Sequence, residues 1–477
     1  MSFSASCTHA TLTPEIETYE ETNRHAKARS GVRSKSSNNK TIISSLQNST
    51  ETVSNTGNTL VIESGGTITI SNGSQQAVNF TQDSSTSTFL NKGTLIGGNN
   101  TASVQLGANR NNGVTIETFN NQGIIGNGSS KFGVTVWGNS NNKSTINNFT
   151  NSGTIYSNTG ESIYFGNANI SSFANSGTIK SRQGAGVNIS RGTSIENFNN
   201  SGTIEGKNDG IQINANVKTL INKGTIKGDA ISIRSLGGTI ETLTNEGIVD
   251  GKSAGIYMSG GRVKTLINKG TINHTDSSVG WGAGIKLEKG STIENIINTG
   301  TINSSGFGIA VTHGKFGTLT IKDGGKVYGK YEGIGVGQWQ TLGDLYIDGS
   351  SSNGTVSGIY SEERGISLDA NSRTQKIELK NGGIIKGNIH GIRLDNGASL
   401  SGEMILSGKG SRVEGGRGAG ILNRSGKIEG SIKVEDGATV TATSNLAIVN
   451  YNSGSITGGI TVSGENTKLQ GNIINTG

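Results

Sequence analysis

Asn222-Lys223-Gly224-Thr225-Ile226-Lys227-Gly228 is one copy of a motif that recurs through most of this 477-residue chain. Close copies of its first five residues begin at four other asparagines, Asn151, Asn200, Asn268 and Asn298. Drifted copies extend from about Gly66 to Gly477. A pattern that returns at such an interval predicts a repeat architecture, in which each copy builds one structural unit. The repeat therefore decides the fold class.

Each copy carries three apolar columns. The residue after the motif's threonine forms the first of them, with members 22 to 30 residues apart: Ile68, Leu95, Ile125, Ile155, Ile179, Ile204, Ile226, Val249, Ile272, Ile302, Val327, Val356, Ile385, Val413, Val440 and Leu469. A second column follows a glycine, as in Gly210-Ile211, and a third reads Ile-x-x-Phe or Val-x-x-Leu, as at Ile146 and Phe149. Three short β-branched segments separated by Gly, Asn and Ser predict three strands per copy.

We therefore predict an all-β chain that forms a single-stranded, right-handed parallel β-helix (solenoid). It would have about 16 turns of 22–30 residues, each with three short strands, stacked at ~4.8 Å. The asparagine of Asn-x-Gly is expected at a corner, in left-handed backbone and in an amide ladder with its copies. The glycine after it is expected to relieve the same strain. From about residue 315, turns such as Asp323-Gly324 are expected to supply positive φ instead.

Two segments differ in composition. Residues 1–55 hold the only proline, Pro14, and a dense mixture of charges, so we predict a polar, flexible N-terminal leader or linker. Residues 56–477 are predicted to form the solenoid, with a change of repeat subtype near 315. Because the chain stops within a copy of the motif, at Asn475-Thr476-Gly477, we expect it to be one piece of a longer product.

The composition fits a thin, repetitive core. Apolar residues make up 31% and aromatic residues 5% of the chain, while 76 glycines occupy much of the remainder. The net charge of +7 comes without any run of five basic residues, so we predict no nucleic-acid partner. Cys7 is the only cysteine, which excludes an intramolecular disulfide and a cysteine metal cluster.

Carboxylates and histidines give no sign of catalysis in the sequence. A β-helical enzyme that acts on polysaccharides would place two or three carboxylates on neighbouring turns of one sheet. Asp209, Asp229 and Asp250 do not share a register, and His274, His313 and His390 are isolated in sequence. We therefore predict no catalytic residue, no metal, no cofactor and no enzymatic activity.

Two sites with non-catalytic roles are candidates. Tyr331 and Trp339 are predicted to form a ligand-contact surface. Ser4-Ala5-Ser6-Cys7 resembles the end of a bacterial lipoprotein signal, which makes Cys7 a candidate lipidation site. The leucine usual three residues before such a cysteine is replaced by Ser4, and a hydrophobic stretch upstream is missing, so an incidental cysteine is the alternative.

The Asn-x-Gly-Thr-Ile-x-Gly and Gly-Ile repeats over residues 56–477 resemble the passenger domains of autotransporters (type V secretion), in particular the Asn/Gly/Ser-rich passengers of Campylobacter and Helicobacter. The resemblance implies a β-helical adhesin on the bacterial surface or outer membrane, or a secreted one. Its partners would be the host-cell surface, the extracellular matrix or other copies of the rod. A membrane would be reached only through a lipid anchor or a translocator barrel, before which this sequence is truncated.

Two alternatives to the adhesin remain open. One is a carbohydrate-active β-helix, similar to a polysaccharide lyase or a glycosidase. The other is a nonfunctional fragment of a disrupted autotransporter gene.

Overall fold

The computed structural model describes residues 35–37 (backbone only), 40–54, 57–81, 83–107, 113–280, 282–352 and 354–476. Every regular element in these ranges is a β-strand, and the strands stack as a parallel β-solenoid of about 16 turns. The predicted fold class is therefore confirmed. None of the described residues belongs to a helix long and apolar enough to cross a membrane.

The first column of strands contains the Ile-x-x-Phe segments and forms a sheet of 21 strands. Its strands are Lys35–Ser37, Lys40–Ile43, Asn58–Ile62, Ser85–Asn91, Thr115–Asn121, Ser144–Asn151, Ala168–Asn175, Ser194–Asn200, Asn216–Asn222, Thr239–Asn245, Arg262–Asn268, Ser291–Asn298, Gly314–Ile321, Thr341–Asp348, Arg373–Lys380, Ser399–Leu400, Met404–Ser407, Lys427–Ile428, Ile432–Glu435, Ser455–Ile456 and Ile460–Ser463. Only the first pair, Lys35–Ser37 with Lys40–Ile43, is antiparallel.

The second column contains the Thr-Ile segments. Its strands are Leu46–Gln47, Thr67–Thr69, Thr94–Ile96, Ile124–Ile125, Thr154–Ser157, Thr178–Ser181, Thr203–Gly206, Thr225–Gly228, Ile248–Gly251, Thr271–His274, Thr301–Ser304, Lys326–Gly329, Gly358–Ser361, Ile384–Gly387, Arg412–Gly415, Thr439–Tyr451 and Lys468–Asn475. The last two strands are long and continue into the third column.

The third column contains the Gly-Ile segments. Its strands are Glu51–Val53, Val78–Phe80, Ala102–Leu106, Phe132–Trp137, Ile163–Gly166, Val187–Ile189, Asp209–Asn214, Ile231–Gly237, Ala254–Ser259, Ala283–Glu288, Phe307–Val311, Glu332–Val336, Arg364–Leu368, His390–Asp395 and Ile421–Arg424. Because Thr439–Tyr451 pairs with strands of both columns, the second and third columns count as one sheet of 32 strands. Three strands per turn are as predicted, although the expected three sheets are joined into two.

Aromatic rings stack inside the N-terminal half of the solenoid. Neighbouring centroids are 4.3–5.1 Å apart along the series Phe89, Phe119, Phe149, Phe173 and Phe198. All five rings are fully buried, and the series continues in register with Leu220. Removing one such ring is expected to cost ~3–5 kcal/mol, so the stack is a large part of what holds these coils together.

A ladder of buried asparagines runs beside the rings. Each side-chain amide donates a hydrogen bond of 2.7–2.9 Å to the side-chain oxygen of the next member, in the order Asn91, Asn121, Asn151, Asn175, Asn200, Asn222, Asn245, Asn268 and Asn298. The predicted amide ladder is confirmed. The predicted left-handed backbone is wrong: each of these asparagines ends a strand of the first column, and none has positive φ.

The glycine two residues after each ladder asparagine is needed for a different reason than strain relief. A Cβ on Gly224 would overlap the carbonyl oxygen of Gly202 in the preceding coil, and Gly202 meets Gly177 in the same way. Neither glycine has positive φ. Close packing of successive corners, not left-handed geometry, therefore excludes a side chain here.

One member of the predicted Thr-Ile column is wrong. Val327 pairs with Ile359, which in turn pairs with Ile385, so the fully buried Ile359 occupies the position predicted for Val356. Val356 lies in the loop before the strand Gly358–Ser361. The loop lengthens this coil and shifts the apolar residue that reaches the core.

Near residue 315 the corners change as predicted, except at Asp348-Gly349, where neither residue has positive φ. Asn298 pairs with Ile321, which ends the asparagine ladder at this coil. The corners that follow contain Asp323-Gly324, Asn381-Gly382 and Asp436-Gly437, whose φ values are 53–55° for the first residue and 83–91° for the glycine. These pairs adopt the left-handed turns for which Asp-Gly and Asn-Gly are suited.

The solenoid begins earlier than predicted. Lys40–Ile43 pairs in parallel with Asn58–Ile62, and Glu51–Val53 pairs with Val78–Phe80. A coil therefore lies within residues 1–55, which we predicted to be a flexible leader. Residues 1–34, including the candidate lipidation site Cys7, lie outside the described residues.

Candidate functional site

The outward side chains of the third column form a surface, here called the third face, that differs in burial from the rest of the solenoid. Among the ion pairs of the described residues, the three most buried carboxylates are those of Asp209, Asp395 and Glu332, with 4%, 8% and 11% of the side chain exposed. All three lie on this face. On the first column, by contrast, the pair of Lys218 and Glu196 is exposed on both sides. Buried charge is costly unless it is paired, so its concentration on one face distinguishes that face from the rest of the surface.

One charged cluster lies in the middle of the third face. Arg234 Nε lies 2.8 Å from Asp209 Oδ2, and the guanidinium lies 5.6 Å from the ring centroid of Tyr257. Lys286 approaches the same ring at 5.9 Å, and the Tyr257 hydroxyl donates a 2.6 Å hydrogen bond to Glu288. Burial raises the pKa of Asp209, and the positive charge of Arg234 opposes that shift.

A second cluster lies further along the same face. Glu332, Arg364 and His390 begin three successive strands and are paired in register. Arg364 Nη1 lies 3.1 Å from Glu332 Oε1, and the carboxylate extends over Gly335, where a side chain would collide with it. Burial raises the pKa of Glu332 to about 7; the negative charge of Asp369 adds to this effect and Arg364 opposes it. Glu332 is therefore poised to hold or release a proton near neutral pH.

Two aspartates continue this cluster at the ends of the next two strands. Asp395 lies against the guanidinium of Arg393 and 2.8 Å from Arg424 Nε. Asp369, one coil earlier, makes neither an ion pair nor a side-chain hydrogen bond with any other described residue. Its pKa is raised by burial and by the negative charge of Asp395, against the opposing charges of Arg393 and Arg364.

His390 is held neutral within the cluster. The backbone N–H of Ala419 donates a 2.9 Å hydrogen bond to His390 Nδ1, so this nitrogen carries no proton. Burial, together with the charges of Arg393 and Arg364, lowers the pKa of His390 to about 4. His390 is isolated in sequence, but the fold brings it into this cluster.

The two predicted ligand-contact residues lie at opposite ends of the strand Glu332–Val336. Tyr331 packs on Phe307, with ring centroids 6.1 Å apart, and is partly buried. Trp339 lies in the corner after the strand and is 69% exposed. Five strand residues span ~17 Å, so the two rings do not form one aromatic surface. Each instead flanks the second charged cluster.

The backbone of Trp339 is unusual for a bulky residue. Its φ is 65°, in the left-handed region. The corner positions in register with it in the next two coils are Asn371 and Gly397, with φ values of 58° and 81°. Asparagine and glycine suit this conformation, whereas a large side chain does not. A tryptophan thus occupies a position where the backbone favours small polar residues.

Sequence reasoning missed the second cluster, although a signal was present. Each of its first three members precedes the Gly-Ile pair of its own copy, in Glu332-Gly333-Ile334, Arg364-Gly365-Ile366 and His390-Gly391-Ile392. Aligning the copies on Gly-Ile would have placed the three side chains in one row. The described residues contain no group of three or more His, Cys, Asp or Glu side chains arranged to hold a metal ion.

No protein-family model, no curated protein and no solved structure matches this chain.

The chemistry that the third face offers is recognition by paired charges and aromatic rings. Guanidinium groups donate hydrogen bonds in a fixed fork, and carboxylates accept them. The carboxyls of Glu332 and Asp369 stand on neighbouring coils, and both have raised pKa values.

Proposed function

We propose that this chain is the adhesive rod of a bacterial surface or secreted adhesin of the autotransporter-passenger type. It attaches to host cells or matrix, or joins one bacterium to another. A long solenoid with one differentiated face supports this proposal, because a stack of coils presents an extended surface on which a partner can bind at many points.

The burial of charge on the third face is the observation that carries the proposal. A rod that serves only as a spacer needs charges for solubility, and exposed pairs such as Lys218 with Glu196 fulfil that role. The carboxyl groups of Asp209 and Glu332 instead lie within the face, with arginines from the next coil beside them. Such pairs give a surface a fixed pattern of donors and acceptors, which favours specific recognition.

Binding of the purified chain to cultured epithelial cells tests this function. Tyr257→Ala removes the ring that lies between Arg234 and Lys286 on the third face. Lys218→Ala, on the first column, is the matched control. We expect the native chain and the control to bind alike and Tyr257→Ala to bind less, with circular dichroism unchanged in all three. If the native chain binds no cell type, no matrix protein and no second copy, the proposal is wrong.

A carbohydrate-active enzyme is the second candidate, and the position of two carboxyls favours it. Glu332 and Asp369 stand on neighbouring coils, and a pKa near 7 suits a general acid at neutral pH. The test is the release of reducing ends from a panel of plant and bacterial polysaccharides. An enzyme would lose turnover in Glu332→Gln and Asp369→Asn while retaining its fold, whereas absence of turnover in the native chain on every polysaccharide of the panel would contradict this candidate.

A further inference from the structure

The corner that contains Trp339 combines strain with exposure. A left-handed conformation is unfavourable for a bulky residue, and 69% exposure means that packing gives little in return. The conformation is fixed because the backbone N–H of Trp339 donates a 3.1 Å hydrogen bond to the carbonyl of Ala370 in the next coil. Strain retained at an exposed aromatic residue indicates a role in binding rather than in folding.

Through this hydrogen bond, the corner that contains Trp339 lies next to the corner of the following coil, which begins at Asp369. Val336 pairs with Leu368, so Gly337 and Asp369 follow at equivalent positions. Since Gly337 has no side chain, nothing at that position covers Asp369 from the side of the Trp339 coil. The carboxylate of Asp369 has no ion-pair or side-chain hydrogen-bond partner among the described residues, and it remains available to a ligand.

The neighbouring outward residue of the same strand belongs to the charged cluster instead. Ser367 is fully buried and lies in register between Gly335 and Arg393. The Glu332 carboxylate extends over Gly335, and a hydrogen bond with Ser367 is one of the interactions that lower the pKa of Glu332. Alternate residues of a strand point the same way, so Asp369 also faces outward, ~7 Å further along. Because Asp369 is partly exposed, it is the one of these two residues that a ligand can reach.

We propose that Trp339 and Asp369 form a binding subsite for a glycan, with one sugar ring stacked on the indole and its hydroxyls bonded to Asp369. This inference rests on the proposed adhesive function and names the class of partner.

The chemistry of the subsite selects a glycan. The C–H face of a pyranose is apolar and flat enough to pack on an aromatic ring, while its edge carries hydroxyls that donate to a carboxylate. A nucleic acid would also stack on tryptophan, but its phosphates need unpaired positive charge. Here Arg364 is already paired with Glu332, and Arg393 and Arg424 are paired with Asp395.

A glycan array probed with the intact chain tests the proposal, followed by titration of the best-bound oligosaccharide. Trp339→Asn and Asp369→Asn are each expected to weaken binding by at least about tenfold, as loss of a central contact usually does. Ile248→Thr is the control: it removes an exposed apolar side chain from the second column, where the paired residues Thr225 and Thr271 are already threonine. Trp339→Asn introduces the residue found at the equivalent corner of the next coil, so its melting temperature is expected not to fall.

Binding to cells after periodate oxidation or protease treatment separates this inference from the adhesive function. Loss with periodate and with Trp339→Asn supports both. Binding that resists periodate but is lost with protease shows a protein receptor, which overturns the glycan subsite and leaves adhesion standing. Glycan binding without cell binding supports the subsite and contradicts host-cell adhesion. If the array shows no ligand, or if Trp339→Asn binds like the native chain, the subsite is wrong.

Discussion

The side-chain amide of Asn200 donates a 2.8 Å hydrogen bond to the side-chain oxygen of Asn222, one coil further along, and both residues are buried. The same nitrogen lies 3.2 Å from the carbonyl oxygens of Gly202 and Thr225. One side chain therefore ties the end of a strand to its own corner and to the next coil. The regular part of the solenoid is held at this edge by a chain of such contacts.

Replacing a ladder member is expected to destabilise the coils on both sides. Asn222→Ala leaves the amide of Asn200 without its acceptor and Asn245 without its donor, inside a buried row. An unsatisfied buried polar group costs ~1–3 kcal/mol, so we expect a loss of about 3 kcal/mol in the free energy of unfolding by urea. Asn197→Ala, at an exposed position of the same column, is the control and should change it by less than about 0.5 kcal/mol. Equal effects of the two substitutions would contradict a structural role for the ladder.

The strained corner leads to the opposite expectation for stability. Trp339→Asn places a residue suited to left-handed backbone at φ 65°, so we expect the free energy of unfolding to rise by about 1 kcal/mol. Asn371→Ala, at the equivalent corner, replaces a suited residue with an unsuited one and should lower it by about 1 kcal/mol. Thermal unfolding followed by circular dichroism measures both. A clear loss of stability in Trp339→Asn would mean that the indole supports the fold, and the argument from strain would fail.

The repeat makes the positions of the inward-facing side chains predictable, but it does not determine the outward-facing ones. Phe119 over Phe149 and Ile155 over Ile179 follow from the period, because only one register keeps every apolar residue inside. Where a loop changes length, as before Ile359, the period no longer fixes the register. The sequence therefore favours Val356 for the core position that Ile359 occupies.

Outward positions carry no such constraint. Glu332, Arg364 and His390 differ in chemistry from copy to copy, so they do not appear as a motif. Their burial and their pKa values arise from contacts between coils, which a single copy of the repeat does not contain. The left-handed backbone of Trp339 could not be predicted either, because asparagine and glycine are the residues that usually adopt this conformation.

Glu332 is expected to make stability depend on pH. Its pKa is about 7 in the fold and 4.5 as the ordinary value, so the folded chain holds a proton that the unfolded chain releases between these two values. Stability from this group is present below pH 4.5 and is lost as the pH rises through 7. Glu332→Gln mimics the protonated form. The free energy of unfolding of this variant, relative to that of the native chain, should therefore rise by up to about 3 kcal/mol between pH 4.5 and 8. Urea unfolding at both pH values measures the change, and a difference that does not vary with pH would show that folding leaves the pKa of Glu332 at its ordinary value.

His390 is expected to shift stability in the other direction as the pH falls. Its folded pKa of about 4 lies below the ordinary 6.5, so the unfolded chain takes up a proton first and the fold loses stability as the pH drops from 6.5 through 4. His390→Asn keeps an acceptor for the backbone N–H of Ala419 but cannot be protonated. The native chain should therefore lose stability relative to this variant on acidification, as measured by urea unfolding at pH 7 and pH 4.5. If the native chain instead becomes more stable relative to the variant on acidification, His390 is charged in the fold. The cluster around Arg364 and Arg393 must then contain more negative charge than its carboxylates indicate.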